Sequence, residues 1–337
     1  MKIALSLALV VASLSASNLV DQAKKAGLVA IPSSKSEIMK LIDDKRNHIT
    51  NDKIELGKKL YFDPRLSKSG IISCNSCHNL MEGGDDGVSA AIGHKWTANP
   101  HHLNSPTVYN AVFFEAQFWD GRAKDLEEQA QGPIQAHPEM AATKEHVLNT
   151  VVSIPAYVAD FKKAYGKDAN ISFEKITDTI GLFERTLITP SAYDDFLNGK
   201  TNALTKVQQE GLKTFIDKGC VTCHNGISLG HGMNAFNVTA TYKHQDVGDF
   251  KGDANKMVKV PTLRNITQTA PYFHNGQVWS LKEAIIEMGR IQLGASITDA
   301  EAALIEEFLK ALEGRKPSLT MPMLPLSTAT TPKPDMN

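Results

Sequence analysis

Apolar residues recur at helical spacing along much of the chain, and capping residues flank several of these stretches. The pattern predicts helices over residues 173–187, 281–290 and 299–313. Ser280 with Glu283, and Thr298 with Glu301, each have the spacing of a capping box. Gly314 follows the last of these helices, where a glycine commonly ends one. We therefore expect a mainly helical protein.

Two further amphipathic stretches each precede a pair of cysteines. Residues 55–62 lie before the first pair and residues 210–216 before the second. Thr205 is a suitable N-cap for the second helix, and Gly219 lies just past its end. The similar surroundings indicate a weak internal repeat, as expected for two related structural units.

Long segments without periodicity separate the helices. Residues 79–112 and 225–275 are rich in Gly, Asn and Pro, and loops of this length are uncommon without a function. The chain from Pro317 onward contains many prolines and predicts an extended surface tail.

Composition places the chain among ordinary globular proteins. Hydrophobic residues make up 42% and charged residues 22% of the 337 residues, which is long enough for two domains. The formal net charge is −1, so the clustered basic excess of a nucleic-acid-binding protein is absent.

The first residues have the pattern of an export signal. Lys2 is followed by an apolar run over residues 3–11 and then by small residues up to position 17. The run is shorter than the roughly 20 apolar residues that span a membrane. We expect a signal peptide over residues 1–17, cleaved near residue 16 or 17, and no membrane anchor.

The four cysteines form two Cys-x-x-Cys-His motifs. They are Cys74 and Cys77 with His78, and Cys220 and Cys223 with His224. This motif is the attachment signature of c-type haem, in which two thiols bond to one porphyrin and the histidine ligates its iron. The sequence therefore predicts two covalently bound haem c groups.

Other uses of paired cysteines fit less well. A four-cysteine zinc site usually has about 15–20 residues between its pairs, whereas these pairs are far apart in the chain. Two redox disulfides are compatible with export, but they give no reason for a histidine after each second cysteine.

Candidates for the remaining iron ligands are less certain from the residues themselves. Met288 lies on the predicted helix 281–290 and is the best candidate at the second haem, with Met233 and Met257 as competitors. His94 follows a glycine-rich loop after the first motif and could ligate the first haem. A methionine on an amphipathic helix or a histidine in a loop is equally compatible with an ordinary structural role.

The sequence resembles the bacterial dihaem cytochrome c peroxidases over most of the chain after the signal. The resemblance rests on ordered matches around the two haem motifs, which are Leu60-Tyr-Phe-Asp-Pro-Arg-Leu66, Ile92-Gly-His-Lys-Trp96, Asn104-Ser-Pro-Thr-Val-Tyr-Asn-Ala111, Ala116-Gln-Phe-Trp-Asp-Gly-Arg-Ala123, Pro138-Glu-Met140, Pro261-Thr-Leu-Arg-Asn265, Pro271-Tyr-Phe-His274 and Met288-Gly289.

The resemblance implies a catalytic set at the first haem. Glu139 matches the distal carboxylate that handles protons, and Gln129 matches its companion. Trp119 matches the tryptophan between the haems, with Phe118 beside the peroxide pocket. His94 matches the distal ligand that leaves on activation.

The resemblance also implies a second ligand set and a fold. Met288 matches the distal ligand of the electron-transfer haem. A calcium ion between the domains would be bound by Asn104 and by backbone oxygens of Thr269 and Pro271. Two cytochrome c-like haem domains with long irregular loops are expected. The peroxidatic domain would span residues 18–189 together with the tail 316–337, and the electron-transfer domain residues 190–315.

The implied activity is reduction of hydrogen peroxide to water in the periplasm. The electron donor would be a small monohaem cytochrome c or a cupredoxin, and the enzyme a homodimer. Two alternatives remain at this point. One is an electron-transfer cytochrome without peroxidase turnover. The other is a related dihaem oxidase that matures a protein cofactor, a group that carries Tyr where this chain has Met288.

Overall fold

A computed structural model describes residues 16–337 and shows a mainly helical protein, as predicted. Almost all of the predicted signal peptide lies outside the described residues. The helices are α1 (16–25), α2 (Lys35–Ile42), α3 (Asn51–Phe62), α4 (Cys74–Cys77), α5 (Leu126–Gln135), α6 (Lys144–Val152), α7 (Pro155–Tyr165), α8 (Phe173–Arg185), α9 (Ala192–Leu197), α10 (Lys206–Asp217), α11 (Leu281–Met288) and α12 (Asp299–Lys310). Within residues 16–337, no helix is long and apolar enough to cross a membrane.

The predicted starts at residues 173, 281 and 299 agree with the structure, whereas the ends of these three helices differ. Thr205 and Thr298 each form a complete capping box. Ser280 accepts a hydrogen bond from the Glu283 N–H, but no capping box forms there, and the Glu283 carboxylate pairs with Lys243. The predicted helices over 173–187, 281–290 and 299–313 end earlier, at Arg185, Met288 and Lys310. A π-helical turn, Gly289–Leu293, follows α11.

The first hydrophobic core is built mainly by α3, α5, α6, α7 and α8. Leu60, Tyr157 and Phe183 are fully buried in it. Gly57 of α3 faces α8 so closely that a Cβ would collide with the carbonyl oxygen of Thr179. The glycine therefore allows the two helix backbones to touch, which fixes the helix that leads to the first cysteine pair.

The second core repeats this arrangement with other helices. Helices α1, α9, α10, α11 and α12 bury Leu212, Phe308 and their neighbours. Gly211 of α10 faces α12, where a Cβ would collide with the carbonyl oxygen of Leu304. Helix α1 packs here although it precedes the first core in the chain. The Ile31 N–H also donates to the Asp194 carboxylate, at 2.7 Å.

A second repeat acquires a structural meaning from the way its two copies meet. Pro106-Thr-Val-Tyr-Asn110 and Pro261-Thr-Leu-Arg-Asn265 follow the two cysteine motifs, and each ends with an asparagine in the left-handed region. The side-chain amides of Asn110 and Asn265 both donate to the Thr189 hydroxyl, at 2.7 and 2.9 Å. All three residues are fully buried. The two copies of the repeat are therefore held together through one shared acceptor, the Thr189 hydroxyl.

The long loops contain structure that the sequence pattern did not predict. Strands β1 (Met233–Ala235) and β2 (Met257–Lys259) pair antiparallel within residues 225–275. Three residues are too few to show an alternating pattern. The tail after Pro317 is extended, as predicted, and it lies on the first core. The Arg65 guanidinium donates to the Pro325 carbonyl, and the Asp335 backbone N–H donates to the Lys68 carbonyl.

Candidate active site

Each Cys-x-x-Cys-His motif forms a single tight turn. In the first, helix α4 is one turn long and the His78 N–H donates to the Cys74 carbonyl at 2.9 Å. In the second, the His224 N–H donates to the Cys220 carbonyl at 3.0 Å. Each turn therefore presents two thiols and an imidazole together, as covalent attachment of one porphyrin requires.

Both motif histidines are held through the same ring nitrogen. The Nδ1 of His78 lies 2.9 Å from the Pro106 carbonyl, and the Nδ1 of His224 lies 3.0 Å from the Leu229 carbonyl. Such a bond fixes the tautomer and leaves Nε2 to bind iron. Burial lowers the pKa of both imidazoles, which favours the neutral form that metals bind.

The second motif opens on a cavity of about 1600 Å³, including the part open to solvent. Cys220, Cys223 and His224 lie on its wall, and so does Met288 at the end of α11. The competing residues Met233 and Met257 are absent from the wall, although their strands contribute to it. Of the three candidate methionines, Met288 is the one whose side chain shares a cavity with His224.

The first motif opens on a smaller cavity of about 920 Å³. Cys77 and His78 lie on its wall, and it brings together all four predicted catalytic residues, which are Phe118, Trp119, Gln129 and Glu139. Gln129 comes from α5, and Glu139 follows that helix. Burial raises the pKa of Glu139, against the opposing effects of Arg122 and His101. A carboxyl in this environment is suited to carry a proton.

His94 lies outside both cavity walls. Its backbone N–H donates to the Glu139 carbonyl at 2.7 Å, and its ring lies 5.9 Å from that of His137. The ring is buried, and neither of its nitrogens has a hydrogen-bond partner among residues 16–337. The next two residues, Lys95 and Trp96, both have positive φ, which costs non-glycine residues about 1–2 kcal/mol each. The segment therefore stores strain beside an unsatisfied imidazole.

The two cavities share part of their walls. The shared residues are Asn104, Ser105, Pro106, Thr107, Phe114, Trp119 and Lys259. The Trp119 indole donates to the Asn104 carbonyl at 2.9 Å, and its ring lies 6.3 Å from that of His274. The indole is thus held in the part of the wall that the two cavities share.

The three residues expected at calcium also lie together. Asn104, Thr269 and Pro271 line the larger cavity, and the Asn104 amide is 2.6 Å from the Pro271 carbonyl. The Asn104 Oδ1 is buried without a hydrogen-bond partner among residues 16–337. Amide and backbone oxygens are ligands that calcium accepts, together with water. Elsewhere among residues 16–337 as well, no group of three or more His, Cys, Asp or Glu side chains is placed to hold a metal ion.

Three charged residues of the smaller cavity were not predicted from the sequence: Arg122, Glu184 and Lys259. Arg122 lies over the Phe118 ring, 3.5 Å from its centroid. Glu184 lies within amphipathic α8, and Lys259 lies on the unpredicted strand β2. Arg122 lies in the matched stretch Ala116–Ala123, which was a signal in the sequence, whereas nothing in the surroundings of Glu184 or Lys259 distinguishes them from ordinary surface charges.

These donors and cavities fit the predicted cofactor. Each motif combines two thiols and an oriented imidazole with its own cavity. A mainly helical chain with two such turns has the architecture of a two-haem c-type cytochrome.

Comparison with known proteins agrees with this class. Residues 51–202 match the family described as di-haem cytochrome c peroxidase. The cytochrome c551 peroxidase of Pseudomonas aeruginosa is 47% identical over 85% of this chain and 86% of its own length. That of Nitrosomonas europaea is 48% identical over 84% and 86%. A solved MauG-like protein associated with microbial copper homeostasis aligns with TM-score 0.70 and 26% identity, covering 80% of this chain and 92% of its own.

The chain belongs to the di-haem cytochrome c peroxidase family and is an oxidoreductase acting on peroxide. The predictions of the family and of enzymatic activity are confirmed.

Proposed function

We propose that this protein is a periplasmic peroxidase that reduces hydrogen peroxide to water with electrons from a small cytochrome c or a cupredoxin. The observation that carries the proposal is the contrast between the two adjoining cavities. The smaller one contains a partly buried carboxyl and an amide, Glu139 and Gln129, whereas the larger one contains the Met288 thioether. One site is thus suited to proton chemistry and the other to electron transfer.

The proposed cofactor assignment follows the motifs. Cys74 and Cys77 would attach one haem c and Cys220 and Cys223 the other, with His78 and His224 as the proximal ligands. Bound haem supplies a redox-active iron that exchanges electrons and binds small ligands. Met288 would be the sixth ligand in the larger cavity.

Glu139 and Gln129 would perform the proton chemistry of the reaction. Reducing hydrogen peroxide to two waters consumes two protons and two electrons, and the donor protein supplies the electrons. The protonated Glu139 carboxyl can move a proton to the departing peroxide oxygen, while the Gln129 amide orients the substrate. General acid–base assistance of this kind is typically worth about 10²–10⁴-fold in rate.

His94 would control access to the smaller cavity. In the conformation described, the His94 ring lies outside the wall of the cavity that contains His78. The strained backbone at Lys95 and Trp96 supports a segment with two conformations, one of which brings the imidazole to the iron.

The remaining proposals concern organisation. A calcium ion at Asn104, Thr269 and Pro271 would fix the wall between the cavities. We assign residues 18–189 with the tail 316–337 to the peroxidatic domain and residues 190–315 to the electron-transfer domain, with α1 packed on the latter. Export through a signal peptide over residues 1–17 and assembly as a homodimer complete the proposal.

The test of the function is a steady-state assay with the holoprotein. Half-reduced protein is mixed with hydrogen peroxide and a reduced small cytochrome c, and oxidation of the donor is followed. We expect turnover in the wild type and a loss of about 10²–10⁴-fold in Glu139→Gln, because the variant has no proton to transfer. Both haem spectra should be unchanged.

Glu145→Gln is the matched control, because Glu145 is an exposed carboxylate on α6 outside both cavities. Absence of donor oxidation by the wild type would favour the electron-transfer cytochrome or the maturation oxidase. Full activity in Glu139→Gln would remove Glu139 from the mechanism.

A further inference from the structure

Lys259 occupies the wall between the two cavities and is held there by its backbone. It is the last residue of β2 and pairs with Met233 of β1. Its N–H donates to the Trp119 carbonyl at 2.8 Å, so the lysine and the tryptophan are linked directly. Only 6% of the residue is exposed, and its side chain lines both cavities. Lys259 therefore lies in the part of the wall that both sites share.

The charge at this position has no counter-ion within the described chain. Lys259 is the sole Lys, Arg, Asp or Glu on the described wall of the larger cavity. Its Nζ lies 4.5 Å from the centroid of the Phe114 ring. Burial lowers the pKa of the amine to about 8, and no carboxylate among residues 16–337 offsets this effect. A buried cation without a partner lowers the stability of the fold by several kcal/mol, so an anion bound in the cavity would be stabilised by Lys259.

The group expected in this cavity carries such anions. Haem has two propionate carboxylates, and Lys259 is the residue on the described wall of this cavity that could compensate the charge of a propionate buried there. We infer that the Lys259 ammonium forms an ion pair with a propionate carboxylate of the haem in the larger cavity, at the wall beside Trp119. This inference rests on the two-haem assignment of the proposed function.

The ion pair would set the electron affinity of the second haem. A buried propionate without its cation stabilises the oxidised, more positive iron, because opposite charges attract strongly where water is excluded. Removing the ammonium should therefore lower the midpoint potential of this haem. The haem in the smaller cavity should shift less, since Arg122 also lines that site.

The test is a spectroscopic redox titration of the purified holoprotein. In Lys259→Met we expect the equilibrium constant for reduction of the second haem to fall at least about tenfold. This corresponds to a midpoint potential lower by about 59 mV for a one-electron couple. Lys259→Arg should retain most of the wild-type potential, because it keeps the charge. Lys251→Met is the control, since it removes an exposed lysine from the neighbouring loop.

The outcomes separate this inference from the proposed function. An unchanged potential in Lys259→Met would contradict the proposed ion pair. So would a fall of the same size in Lys259→Arg or in Lys251→Met as in Lys259→Met. If Lys259→Met fails to mature, Lys259→Gln provides a neutral polar replacement for the same titration. Fewer than two haems in the wild type, measured by pyridine haemochrome absorbance, would instead overturn the proposed function.

Discussion

Met288 ends helix α11 and lies on the wall of the larger cavity, which also contains His224. A thioether ligand opposite histidine raises the potential of a haem. We expect Met288→Ala to lower the equilibrium constant for reduction of the second haem about a hundredfold. Each factor of ten corresponds to about 59 mV for a one-electron couple. Redox titration measures this directly. Met257→Ala should leave the potential unchanged, and an equal effect of both variants would exclude Met288 as the ligand.

Glu184 is a second residue whose environment has a measurable consequence. It is 5% exposed, faces the smaller cavity, and its Oε2 has no hydrogen-bond partner among residues 16–337. Burial, with a further contribution from Glu127, raises its pKa from 4.5 to about 8. The folded state therefore retains a proton that the unfolded chain loses above about pH 4.5, so this residue makes folding less favourable as the pH rises toward 8.

The prediction concerns the free energy of unfolding of the holoprotein between these two pH values. Glu184→Gln should gain stability over the wild type as the pH rises from about 4.5 to 8, by at most about 1.4 kcal/mol per pH unit. Guanidinium titrations at several pH values measure the difference. Glu174→Gln on the same helix is the control: hydrogen bonding lowers the pKa of that exposed carboxylate, so its effect on stability varies with pH below about 4.5 and with the opposite sign. A difference independent of pH would contradict the buried, protonated state.

At the scale of helices, both units use a glycine where the helix before the cysteine motif touches its partner. Replacing Gly211 by Ala should raise helix propensity by about 1 kcal/mol. The added methyl group would, however, collide with the Leu304 carbonyl and the Phe308 side chain. Because the first obstacle is backbone, we expect a net loss of about 1–3 kcal/mol in unfolding free energy.

Chemical denaturation of the holoprotein tests this expectation. Lys213→Ala on the same helix is the control, since its side chain is 61% exposed and its surface ion pair contributes about 0.5 kcal/mol or less. Increased stability in Gly211→Ala would show that the two helices can separate without cost.

At the scale of the whole molecule, the proposed calcium site lies where the two cavities adjoin, because Asn104 lines both of them. Chelation should lower the thermal unfolding midpoint, and added calcium should restore it. At a free calcium concentration 100 times Kd, binding to the folded state alone contributes about 2.7 kcal/mol. Calorimetry with and without chelator measures the change. Asn104→Ala should abolish the response, whereas the exposed control Asn202→Ala should retain it; an unchanged response in Asn104→Ala would place the ion elsewhere.

The sequence by itself determined what depends on neighbouring residues. The spacing of each Cys-x-x-Cys-His predicted the tight turn, and Thr205 and Thr298 predicted the helix starts, because these contacts span only a few positions. The family resemblance named Glu139, Gln129, Trp119 and Phe118, and the fold places all four on one cavity.

Only the tertiary structure decided what depends on distant segments meeting. Met288 shares the larger cavity with His224, whereas Met233 and Met257 do not, and this difference depends on the packing of α11 rather than on the local sequence. Lys259 is positioned by strand β2, which is too short to predict from the sequence. Its backbone bond to Trp119 joins two residues that are distant in the chain. Local patterns carry no information on which charge is left without a partner, because burial and pairing are set by the whole fold.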